Sequence, residues 1–193
     1  KAGLFTISNN LIGTQEINVH LVSCRGVVMS GNVIYGGRHR NILAENCRHL
    51  VMAANMIEHN PDYKGTGGCS GVRLQDSEGC TVSGCMIADA DTVASGGQEG
   101  MLEVERCKRV TVSGCQITDG FPRGLYIHDS CGVVVTGCTV EDTRDPVANS
   151  ETVLWTGRGE GNRFYGNNIG PARGERMIIE ASAGEQMDGK DLG

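Results

Sequence analysis

The feature that most constrains this chain is a small polar or cysteine residue that returns just before an aliphatic one. It recurs at Asn10, Asn32, Asn55, Cys85, Cys115, Cys138 and Asn167, with separations of 22, 23, 30, 30, 23 and 29. A second ladder runs eight residues ahead of the first from its second member onward, through Cys24, Cys47, Ser77, Cys107, Ser130 and Gly159. Between the ladders apolar and polar residues alternate. Leu102, Val104, Cys107, Val110, Val112, Cys115 and Ile117 would point one way, and Glu103, Glu105, Lys108, Arg109, Thr111 and Ser113 the other. Alternation of that kind is strand periodicity. Strands inside a unit of about 22 residues are the sequence form of a β solenoid.

Two units show the pattern fully. Gly71 to Ile87 reads G-V-x-L-x-x-S-x-x-C-x-V-x-G-C-x-I, and Gly124 to Val140 reads G-L-Y-I-H-D-S-C-G-V-V-V-T-G-C-T-V. They resemble the right-handed parallel β-helix repeats of the pectate-lyase-like superfamily, over roughly Leu4 to Ile179. The resemblance implies an all-β fold, a single-stranded right-handed parallel β-helix of about seven coils. That superfamily holds polysaccharide lyases, glycoside hydrolases, epimerases, phage tailspikes and non-enzymatic modules, so function must be argued from a site.

Composition agrees with a narrow solenoid. Aromatics are only 4% while glycines number 29, which suits an interior of stacked aliphatics with a turn at every corner. The length of 193 residues predicts one β-helix domain over 1–193, excised from a longer chain or covered at its ends by another subunit. The chain starts at Lys1 with no basic-then-apolar leader, which reads as a mature or trimmed form, and the expected address is secreted or cell-surface. No apolar run is long enough for a membrane span. A net charge of -6 argues against a nucleic-acid partner. End-to-end self-association and further domains are the partners expected beyond a polysaccharide.

Of nine cysteines, seven fall at inward repeat positions: Cys24, Cys47, Cys80, Cys85, Cys107, Cys115 and Cys138. Stacked coils about 4.8 Å apart would allow a disulfide within the column Cys85, Cys115, Cys138. Three members cannot all pair, and the expectation is free thiols acting as small hydrophobes. No cysteine or histidine spacing suits zinc.

Three longer connections, Glu58 to Gly71, Ala88 to Gly100 and Glu141 to Thr152, enter at the same corner and would rim one edge of one sheet. The outward residues of the strand that follows them form two columns. One reads His20, Leu43, Arg73, Glu103, Tyr126, Trp155 and the other Val22, Glu45, Gln75, Glu105, His128, Gly157. Their centre is a patch of Arg73, Gln75, Glu103, Glu105, Tyr126 and His128, which is the inventory of an acid/base site. The plain alternative is a solvated sheet face in which Arg73 pairs with Glu103 and Glu105 with His128.

The resemblance supplies one further expectation. Glu103-Val-Glu105 is similar to the Glu-x-Glu that holds calcium in chondroitinase-B-like and alginate lyases, with Gln75 where that family uses Asn. Calcium is therefore the cofactor to test, although inward Val110 stands where that family's catalytic Lys would fall. Adjacent Asp pairs, Gly-His-Gly and Arg-x-Lys of polygalacturonases are absent, as is an epimerase-like Asp-Pro-His-Asp. The sequence thus predicts a carbohydrate-active β-helix, a polysaccharide lyase or glycoside hydrolase. Glu105 and His128 would be the acid/base pair, Glu103 the second carboxylate and Arg73 the substrate-orienting cation. Tyr126, Gln75, Trp155, Lys64 and Arg123 are the candidate substrate contacts, and no metal ligand is assigned. The competing class is a non-catalytic glycan-binding or structural module of a larger surface protein.

Overall fold

The structure, a computed structural model, describes residues 2–59, 71–92 and 97–187, the side chains of 185–187 excepted. Three parallel sheets of eight, seven and seven strands wind around one interior as a right-handed β-helix. Each coil contributes one strand to each sheet. The coil through the candidate site runs Leu102–Glu105, Lys108–Ser113 and Gln116–Thr118. These stack on Leu125–His128, Val134–Thr136 and Thr139–Glu141 of the next coil.

Alternation decides which residues turn inward. Val19 and Leu21 are 8% and 5% exposed, while Leu74, Val104, Val112, Ile127 and Val135 are fully buried. Each such aliphatic contributes about 1.5–3 kcal/mol on leaving water. Corners recur because a left-handed residue recurs. Asn46, Asp76, Arg106 and Asp129 have φ of 53°, 50°, 48° and 46° at one corner, and Gly84, Gly114 and Gly137 have 55°, 59° and 62° at another. Asparagine, aspartate and glycine tolerate that conformation best, which is why the corners are rich in them.

Both ladders are inward and satisfy backbone groups that the bends leave open. The Asn10 Nδ2 donates to Asn32 Oδ1 at 3.1 Å, and Asn32 Nδ2 donates to Asn55 Oδ1 at 2.8 Å. Ser77 Oγ accepts from the Cys47 N–H and Ser130 Oγ from the Cys107 N–H, both at 3.0 Å. All eight described cysteines are free thiols, and seven of them are buried. Lys64 and Cys69 lie outside the described residues. No helix among the described residues is long and apolar enough to cross a membrane.

One register differs from the sequence expectation. Ile127 pairs with Trp155 and His128 with Thr156, so Leu154 and Thr156, not Trp155 and Gly157, continue the outward columns. Gly157 takes the left-handed corner instead, with φ 81°, and Asn162 stands inward opposite Val133, where the repeat otherwise carries an aliphatic. Its Oδ1 accepts from the Val133 N–H at 2.9 Å, and its Nδ2 donates to the carbonyls of Ser130 and Ala183.

Candidate functional site

The third sheet carries the candidate patch on its outer face. Arg73, Glu103 and Tyr126 are register partners in one column and Gln75, Glu105 and His128 in the other. Parallel strands about 4.8 Å apart with side chains alternating through the sheet therefore bring all six together, as their spacing predicts.

Their side chains separate into two groups. Arginines hold the first. Glu103 Oε1 lies 3.1 Å from Arg40 Nη2 and accepts the Glu99 N–H at 3.2 Å, while its Oε2 faces Arg73 Nε at 3.5 Å. Glu105 Oε2 accepts from Arg73 Nη2 at 2.6 Å and Arg106 Nη1 at 3.2 Å, and Arg106 also forks onto Asp76. Arg73 thus bridges the two carboxylates. Burial pushes the Glu103 carboxyl above its ordinary range, against the pull of Arg40 and Arg73. Loss of hydration disfavours the charged form even where two cations favour it.

The second group faces solvent. The Tyr126 and His128 rings stack with centroids 6.0 Å apart and planes 7° apart. His128 Nδ1 meets Thr156 Oγ1 at 3.0 Å, and its Nε2 lies 3.2 Å from Asp129 Oδ2. An adjacent carboxylate selects the Nε2–H tautomer and leaves Nδ1 as the basic nitrogen. Partial burial raises the Tyr126 phenol above its ordinary value, so it stays protonated at neutral pH. The Arg158 N–H donates to Asp129 Oδ1 at 2.8 Å and fixes that carboxylate at the edge of the face. At the loop edge Arg123 donates from Nε to Glu151 at 2.7 Å and from Nη1 to Glu99 at 3.0 Å.

Several sequence assignments change. Glu103 has no exposed surface, so it cannot stand at a groove floor as a second carboxylate. Its side chain folds under the Glu99 connection toward Arg40, which is itself buried. Trp155 cannot stack on a sugar, because it is fully buried and packs edge-on against Phe164 at 6.5 Å. Glu105 and His128 are register partners but do not bond to each other: the carboxylate turns to arginines and the imidazole to Thr156 and Asp129. Gln75 donates to Asp76 at 3.3 Å and remains half-buried on the face. Sequence reasoning missed Arg40, Thr156 and Asp129. A column of left-handed formers, Asn46, Asp76, Asp129 and Gly157, would have fixed the last register and put Thr156 beside His128.

Calcium does not fit Glu103-Val-Glu105. Both carboxylates already face guanidinium groups, which would repel a divalent cation. Among the described residues no three His, Cys, Asp or Glu side chains converge as metal ligands.

Comparison with known proteins bears on the fold. Residues 2–169 match the family described as right handed beta helix region. No curated protein sequence matches the chain. Among solved structures it is similar to the A-module of the mannuronan C-5 epimerase AlgE4 from Azotobacter vinelandii, with TM-score 0.63 and 11% identity. The alignment covers 98% of this chain and 59% of that one, so this chain spans under two thirds of the epimerase module. Two structures of QnrB1, a plasmid-mediated fluoroquinolone resistance protein, give TM-scores of 0.24 and 0.19 at 9% identity. They cover 93% and 87% of this chain and 92% and 94% of theirs. The inward ladders, the three parallel sheets and the match over residues 2–169 agree, and this chain belongs to the right-handed β-helix family.

Proposed function

We infer that this chain acts on a uronate-containing polysaccharide by proton abstraction beside the sugar carboxylate, the lyase half of the lyase-or-hydrolase expectation. The observation that carries this reading is the pairing of a protonated phenol with an imidazole, Tyr126 with His128, both partly exposed at the centre of the third sheet. Hydrolysis by two carboxylates needs both to reach the glycosidic bond. Here Glu103 is buried and Glu105 turns its carboxylate to the guanidinium groups of Arg73 and Arg106, so the two do not flank a glycosidic bond.

In the proposed reaction His128 takes the proton next to the carboxylate at Nδ1. Asp129 steadies the imidazolium that forms, and the Thr156 hydroxyl turns from donor to acceptor. Tyr126 donates its phenolic proton to the departing glycosidic oxygen, leaving an unsaturated sugar. Arg73 and Arg123, with side chains 21% and 16% exposed, supply positive charge for the carboxylate whose developing charge must be stabilised. The structural neighbour is named a mannuronan C-5 epimerase, whose reaction inverts the carbon that a uronate lyase deprotonates. Release of unsaturated ends from a panel of polyuronates tests the proposal. Reducing ends without unsaturation would assign hydrolysis instead.

The binding-module reading keeps one observation in its favour. Arg73, Glu105, Arg106 and Asp76 close a chain of ion pairs across the face, as a sheet with no catalytic duty also would.

A further inference from the structure

The chain is acidic overall, yet one of its corners carries a line of cations. Where the third sheet bends into the first, Arg25, Arg48, Glu78 and Lys108 are successive register partners, and Cys131 follows Lys108. Arg109 stands beside Lys108, and all four cations are exposed. Arg48 Nε lies 3.6 Å from Glu78 Oε2, and Arg109 Nη2 donates to Glu78 Oε1, so one carboxylate steadies two guanidinium groups. Among the described residues neither Arg25 nor Lys108 has an acidic partner. From Lys108 onward the corner opens into a cavity of about 600 Å³ lined by Lys108, Arg109, Cys131, Gly132, Glu160 and Gly161. It is open because Gly132 and Gly161 hold left-handed positions, φ 62° and 65°, where Arg109 and His49 carry side chains in earlier coils.

We propose that this corner is a second binding surface, a track for a carboxylate-bearing polysaccharide whose carboxylates meet the exposed Arg25, Arg48, Lys108 and Arg109. Charge spacing selects that partner. Positions along the corner repeat once per coil, about 4.8 Å, whereas duplex DNA presents a charge every 1.7 Å or so and rewards dense neutralisation. The first sheet's outward residues beside the corner, Val28, Val51, Thr81, Thr111 and Val134, offer no aromatic platform for bases. A sugar chain with one anion per residue meets a sparse ladder without that mismatch. The track goes beyond the groove chemistry and does not depend on it. It would hold a polymer longer than the outer face of the third sheet, raising the local concentration of sites by a second attachment.

The test is isothermal titration of the chain with an alginate oligosaccharide at several salt concentrations, beside a neutral dextran and a DNA duplex. The variant combines Arg25→Ser, Arg48→Ser, Lys108→Ser and Arg109→Gly, the last matching the glycine already present at this corner in other coils. We expect at least a tenfold loss of alginate affinity, a shallower salt dependence and no binding of dextran. Should the fourfold variant melt early, Lys108→Glu alone, an exposed charge reversal, should give the same direction of change. On a short oligouronate that the parent cleaves, the corner variants should release unsaturated ends at the parent's rate, which separates this surface from the third sheet. Unchanged alginate affinity in both corner variants would overturn the proposal. So would duplex DNA binding that exceeds alginate binding and vanishes with the same substitutions.

Discussion

Arg40 Nη2 lies 3.1 Å from Glu103 Oε1, with 2% and 0% of their side chains exposed, although a whole coil separates their strands. Removing one member leaves an uncompensated charge in a site that water cannot reach. Glu103→Ala should therefore destabilise the fold by about 3–5 kcal/mol, while replacing Arg40 and Glu103 together by apolar residues should cost much less. Equilibrium denaturation of the single and double variants checks this, and equal losses would show that packing, not charge, governs the site.

Asp142 gives the fold an acid-sensitive contact. Burial raises its carboxyl, but bonds from Arg144 and from the N–H groups of Asn149 and Ala148 outweigh it and hold the pKa at about 2, against 3.8 ordinarily. A folded pKa below the unfolded one means stability that is fully present above the unfolded value and lost as pH falls toward the folded one. The difference corresponds to about 2 kcal/mol. The gap in stability between the parent and Asp142→Asn should be full at pH 6 and shrink between pH 4 and pH 2. A gap that stays constant across that range would assign the effect to geometry alone.

The thiols should titrate in two classes. Burial pushes Cys80 up to about 11 and Cys107 up to about 12, so both stay protonated and shielded at neutral pH. Cys131 is half-exposed and flanked by Lys108 and Arg109. A thiol reagent should find one or two groups in the native protein, Cys69 or Cys131 first, and many more after denaturation without reductant. A count that does not rise would mean disulfides in the inward column.

The architecture was legible because one rule, alternation within a coil, repeats until the ladder positions are beyond mistake: Val104, Cys107, Val112 and Cys115 all lie inside as their spacing requires. The patch was legible as a set of neighbours, since register follows from the same ladders. What alternation cannot convey is where a long side chain bends after leaving the sheet. Glu103 starts on the outer face yet ends buried, because a connection covers it and Arg40 waits beneath. The coil after Cys138 was misread by one residue because Gly159 resembles a ladder member, whereas the left-handed corner at Gly157 sets the register.

The central claim rests on Tyr126 and His128, and the most direct measurement is the yield of unsaturated ends from polyuronates by the parent, Tyr126→Phe and His128→Ala, with melting curves alongside. Both side chains are partly exposed, so each substitution should alter stability by no more than about 1 kcal/mol. On a polyuronate that the parent cleaves, both variants should lose at least 100-fold in rate, the usual worth of a positioned acid or base. Full activity in both variants, or cleavage that yields reducing ends without unsaturation, would contradict the account.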